Sequence, residues 1–152
     1  MSDIDEARRM LAIAQRDLRA VRAMVGNPDD FPDEVYGFLA QQAAEKAMKS
    51  WLALVAGDYP RVRDLEVLLQ RLADAQAAVP EHFLGLADLA DFAVQYRYSA
   101  FDDEPALERE KLLGSVEELL RHVENELARA ESTPGGQPQP ETTDEREEPP
   151  SS

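Results

Sequence analysis

FLAQQAAEKAMKSW, residues 38–51, decides the fold, because polar residues sit inside its otherwise apolar stripe. Wound as a helix, the stretch and the next residue put Phe38, Leu39, Gln42, Ala43, Lys46, Ala47, Trp51 and Leu52 on one broad face, since positions three and four apart stack. Gln42 and Lys46 are then expected to point partly inward. Alanines at 40, 43, 44 and 47 remove bulk, so neighbouring helices can approach closely and long side chains can lie over that surface. An amide or ammonium buried without a partner is costly, so each is expected to find an acceptor or carboxylate elsewhere in the fold. The stretch is expected to be the centre of a helix from about Asp33 to Ala56, capped by Gly57 and followed by Pro60.

Before it, Gly26, Asn27, Pro28, Asp29, Asp30 and Pro32 make a loop that cannot continue a helix. Residues 3–25 carry Ile4, Ala7, Leu11, Ala14, Leu18, Val21 and Val25 at alternating three-four spacing, one helical stripe, with Ser2 and Asp5 resembling a capping box. Arg8, Arg9, Arg16, Arg19 and Arg22 lie off that stripe and form the most basic surface of the chain. It reads either as a solvated helix face or as a docking face for a nucleotide, RNA or an acidic partner.

After the central helix, Arg63-Asp64-Leu65-Glu66 opens a third helix with Leu65, Leu68, Leu69, Leu72 and Ala75 inward, ended at or before Pro80. A fourth is expected over 81–98, with Leu86, Leu89, Phe92, Ala93 and Tyr96 inward and a first turn loosened by Gly85. The last is expected to start near Asp103 or Glu104, with Pro105 in its first turn and a stripe of Leu112, Leu113, Val116, Leu119, Leu120, Val123 and Leu127. Such rods bury their faces only against each other, so the fold class is all-α, a four- or five-helix up-down bundle over residues 1–131. Residues 132–152, rich in Pro, Gly and acid, are expected to form a disordered acidic tail.

The chain has no cysteine and two histidines, His82 and His122, which excludes disulfides, thiol catalysis and the usual zinc sites; no metal and no cofactor are expected. No run of eighteen apolar residues occurs, so the expected location is cytoplasmic, away from membranes. The net charge is −15; residues 133–152 hold five acidic residues against Arg146, which leaves −11 on the rest. That balance argues against a general electrostatic grip on nucleic acid and confines any anion site to a few local cations.

Three stretches together resemble the HEPN domain family (higher eukaryotes and prokaryotes nucleotide-binding): FLAQQAAEKAMKSWL at 38–52, YPRVRDLEVLL at 59–69 and YRYSAF at 96–101. The resemblance implies a helical bundle that dimerises, with its site near the dimer interface. Family members act as RNases in toxin systems, as partners of small nucleotidyltransferases, or as non-catalytic binding domains. Catalytic members carry an arginine followed, after four to six residues, by a histidine, a pair able to activate a ribose 2′-hydroxyl while the guanidinium grips the phosphate. Here that spacing after Arg97 gives Asp102, Asp103 or Glu104, and Arg63-Asp64-Leu65 stands where the family has His-Asp-Leu. His122 directly follows Arg121, the wrong spacing, and His82 reads as a surface histidine.

The resemblance therefore implies a non-catalytic or degenerate homodimeric HEPN protein in a toxin-antitoxin-like system. It would bind a nucleotidyltransferase-type partner, a nucleotide or both through Lys46, Lys49, Arg63, Arg97 and Tyr98. One alternative is a metal-independent RNase with Arg97 and Asp102 as a variant site. Another is an architectural helical dimer whose first helix recruits an acidic protein. Structural roles compete at each position: Lys46 can pair across the bundle, Glu45 and Lys49 have the i, i+4 spacing of a helix pair worth about 0.2–0.5 kcal/mol, and Arg97 can stack between Tyr96 and Tyr98. Trp51 reads as a core anchor.

Overall fold

The structure, a computed structural model, describes residues 2–27, 29–88 and 108–132. Arg97, Tyr98, Asp102, Pro105, the inward residues expected between 89 and 96, and residues 133–152 lie outside the described residues.

Helix α1, Ile4–Met24, buries Ala7, Leu11, Ala14, Leu18 and Val21 as the spacing predicts, with Met10 added. Its cap is Asp3 rather than Ser2: the Asp3 carboxylate accepts the Glu6 amide at 3.1 Å. The cap is displaced because the Asp3 N–H donates to the Ala53 carbonyl at 2.8 Å, which pins the last non-helical residue to the second helix.

Helix α2, Asp33–Ala56, has the expected limits. Gly57 takes φ 85° and sends its N–H to Ala53 at 3.2 Å, a left-handed cap that glycine adopts without steric cost. The expected inward face is corrected. From Ala43 to Leu54 nearly every residue of α2 is buried, Glu45 and Lys49 among them, whereas Gln42 and Lys46 are half-buried. The reason is that α2 packs against three other helices, so most of its circumference is covered instead of one stripe.

Helix α3, Leu65–Asp74, is capped by Asp64, whose carboxylate accepts the Glu66 N–H at 2.9 Å, and buries Leu65, Leu68, Leu69 and Leu72. It ends well before Pro80, in a turn where Ala77 N–H reaches the Leu72 carbonyl at 3.0 Å and Gln76 N–H reaches Ala73 at 2.9 Å. Gln76 holds φ 63°, the left-handed position usually given to glycine, so no glycine marks this end in the sequence. Pro80 instead precedes a 3-10 turn, Glu81–Phe83, and helix continues over 84–88 to the edge of the described residues.

Helix α4, Arg109–Ser132, buries Leu112, Val116, Leu119, Leu120, Val123 and Leu127. It starts later than expected, because Glu108 is not helical, and it takes in Ser132 from the expected tail. Arg109 holds that start: its guanidinium donates to Asp33 at 2.7 Å, to the Met24 carbonyl at 3.1 Å and to the Phe31 carbonyl, and lies 5.0 Å from the centre of the Tyr36 ring. Tyr36 answers by donating its hydroxyl to the Arg109 carbonyl at 2.7 Å. One guanidinium thus ties the end of α1, the connecting loop and the start of α2 to α4.

Trp51, 1% exposed, anchors the core with its ring edge-on to Phe83 at 6.4 Å. All the described elements are helical, as the bundle requires. None of the described helices is long and apolar enough to cross a membrane.

Candidate functional site around Glu45

Glu45 is 2% exposed, and one of its carboxylate oxygens receives two ammonium groups: Lys49 at 2.8 Å and Lys46 at 3.4 Å. The i, i+4 spacing supplies the first contact. The second joins adjacent positions, which the helical pattern alone sets on different faces; the length and flexibility of the lysine stem let Lys46 fold back. Lys49 is itself buried, its ammonium 5.6 Å from the centre of the Tyr59 ring, so it acts as an internal counter-ion in this fold. The other Glu45 oxygen, Oε1, is buried without a hydrogen bond.

Lys46 also interacts electrostatically with Asp17 of α1. Burial pushes the Asp17 carboxyl up, Lys46 and Arg16 pull it back, and Glu45 adds to the upward push. Beyond Tyr59, the network continues to Glu6, which accepts the Tyr59 hydroxyl and a two-point grip from Arg9 at 2.9 and 2.8 Å. The Arg9 guanidinium, then the Tyr59 hydroxyl, hold the Glu6 carboxyl down to about 2. The Tyr59 hydroxyl is pushed up, by burial first and then by Glu6.

Arg63 joins this region through its backbone: Gln41, one turn before Glu45 on α2, donates its side-chain amide to the Arg63 carbonyl at 3.3 Å. The Arg63 side chain is exposed and makes no salt bridge among the described residues. The structure therefore brings Lys46, Lys49 and the Arg63 backbone to one region of α2, while Arg97, Tyr98 and Asp102 lie outside the described residues. Chemically, the two lysines are offset by two carboxylates, Glu45 and Asp17, and Arg16 beside Asp17 and the exposed Arg63 are the cations that form no salt bridge among the described residues. Among the described residues no group of three His, Cys, Asp or Glu is placed to hold a metal.

Of the five arginines of α1, Arg8 pairs with Asp5 and Glu131, Arg9 with Glu6, and Arg22 with Glu117 at 2.8 Å. Arg16 and Arg19 are exposed and form no salt bridge among the described residues. The histidines are elsewhere. His82 is 61% exposed, as expected. His122 packs its ring 4.6 Å from that of Trp51 and 5.5 Å from that of Phe83, a structural role that reading it only for catalysis misses.

Comparison with known families matches the HEPN domain model over residues 7–126. The chain belongs to the HEPN domain family. Among solved structures it is similar to TT1696 from Thermus thermophilus, with 31% identity and a TM-score of 0.62 over 78% of this chain and 96% of that one. It is also similar in fold to ST0689, an archaeal HEPN homologue, with 22% identity and a TM-score of 0.58 over 84% of this chain and 99% of that one. No curated protein matches. The family match spans all of α2 and α3, so the Glu45 network is a feature of the HEPN fold region of this chain.

Proposed function

We propose that this HEPN protein is non-catalytic and works by binding a protein partner of the nucleotidyltransferase type, in a toxin-antitoxin-like pair, through the α2 surface around Lys46 and Arg63. The observation that carries the reading is the Glu45 carboxylate, which takes up both Lys46 and Lys49. A phosphate-bearing ligand recruits lysines that are free to neutralise it; here the charge is already offset by Glu45 and Asp17. A patch of mixed polarity whose lysines are already offset, flanked by Gln41, Gln42 and Arg63, suits a protein surface better than a free nucleotide. Lys49 then holds Glu45 in place, and Arg97 and Tyr98 belong to the proposed contact by the family resemblance alone.

The non-catalytic part rests on the histidines. Neither follows Arg97 at RNase spacing, and His122 is engaged with Trp51 and Phe83. The test is co-purification from native extracts with a nucleotidyltransferase-domain protein, comparing the natural chain with a Lys46→Glu, Arg63→Glu variant. The reading expects the natural chain to bring the partner down and the folded variant to lose it. Equal capture by both would refute the surface assignment.

A second reading has one observation in its favour: Arg16 and Arg19 are the α1 arginines without a salt bridge among the described residues, on a face suited to an acidic protein. It expects Arg16→Ser, Arg19→Ser to weaken assembly, and the loss to shrink as salt is raised.

A further inference from the structure

We infer that the cleft between the 3-10 turn and the middle of α4 is a second ligand site, and that it takes a phosphate oxyanion. The cleft has a volume of about 230 Å³ and is lined by His82, Phe83, Glu118, Arg121, His122 and Asn125, so both histidines of the chain open onto one small space. Arg121 and Asn125, one helical turn apart, are exposed and make no hydrogen bond or salt bridge among the described residues. His82 faces them from the 3-10 turn, its Nε2 3.7 Å from Glu118. His122 forms part of the wall; its Nε2 is buried without a hydrogen bond, 3.7 Å from Glu126.

The donors choose the ligand. A guanidinium fork, a side-chain amide and an imidazole from two elements line the cleft, a set of N–H donors that suits the several oxygens of a tetrahedral anion. A stacked nucleobase is disfavoured, because Phe83 is 2% exposed and offers no free ring face. Glu118 is the single carboxylate lining the cleft; it opposes an anion and sits beside His82. The site is independent of the surface around Lys46, since Lys49 and Trp51, two positions apart on α2, project to opposite sides of the helix.

The experiment titrates the full chain calorimetrically with inorganic phosphate and, separately, with dimethyl phosphate, while nuclear magnetic resonance follows both imidazoles. Saturable binding that shifts both imidazoles is expected. Binding of inorganic phosphate alone assigns a terminal phosphate; binding of dimethyl phosphate as well assigns a backbone phosphodiester. Arg121→Ala, an exposed position that leaves the core intact, is expected to weaken binding about tenfold. Glu118→Gln is expected to strengthen it about fivefold, by removing the opposing charge. Lys111→Ala, near the start of the same helix, is expected to change nothing. Absence of saturable binding to either anion, or equal affinity in the Arg121 and Lys111 variants, would overturn the assignment.

Discussion

At Glu45 one carboxylate oxygen holds two ammonium groups inside the protein, and the cost of burying those charges sets how each residue responds to change. Replacing one member of a buried pair strands the other, whereas replacing both by apolar groups of similar shape removes the desolvation cost with the attraction. Lys49→Met leaves Glu45 only the longer Lys46 contact at 3.4 Å and is therefore expected to lower unfolding free energy by about 2 kcal/mol, measured by urea denaturation. Glu45→Leu with Lys49→Met, which releases the half-buried Lys46 towards solvent, is expected to restore it to within about 1 kcal/mol. A double variant no more stable than the single one contradicts this account of the pair. The spacing of Glu45 and Lys49 was visible in the sequence; their burial was not. An i, i+4 pair looks the same on a surface helix, and burial here depends on α1, α3 and α4 packing around α2. Arg109 was invisible for a related reason: its acceptors include the carbonyls of Met24 and Phe31, which any residue could supply and which lie far away in the chain.

Between elements, the closest fit is α1 against α2. The Ser50 hydroxyl donates to the Ala7 carbonyl at 2.7 Å, and the Asp3 N–H reaches Ala53, so the two helices run antiparallel with their backbones near one another. Carrying that register two turns along α1 sets Ala14 opposite Ala43, and neither is exposed to any extent. Ala43→Leu is expected to destabilise by about 1–3 kcal/mol through overpacking, read as a fall in the urea midpoint. An unchanged midpoint would show that the helices are further apart than this register implies. Element limits were legible where a residue type has one physical use. Gly57 marks the end of α2 through its left-handed cap, and Asp64 marks the start of α3 through its carboxylate. They failed where tertiary contacts choose the end: Ala53 moves the α1 cap to Asp3, and Gln76 closes α3 in a conformation its side chain does not favour.

For the molecule as a whole, acid is the informative stress. Burial holds the His122 imidazole below its ordinary 6.5, with Glu126 opposing and Arg129 and His82 reinforcing that direction. A depressed folded-state value means the unfolded chain binds more protons in that window, so this contribution is full above 6.5 and is lost as pH falls beneath it. Glu6, held down to about 2 from 4.5, behaves alike at lower pH: its contribution is present above 4.5 and lost on the way to 2. Asp17, pushed up from 3.8, has the opposite sign and gains on acidification through its own window. Between about pH 7.5 and about pH 5.5 the urea midpoint is expected to fall in the natural chain and to stay level in His122→Gln. A fall of equal size in both would assign the acid response to other groups. The central proposal is that this HEPN chain binds without cutting, because neither histidine follows Arg97 at the four-to-six-residue spacing of the catalytic members. Incubating the purified chain with single-stranded RNA in the presence of chelator tests it most directly. No cleavage above buffer is predicted, and metal-independent cleavage that Arg97→Ala abolishes would contradict it.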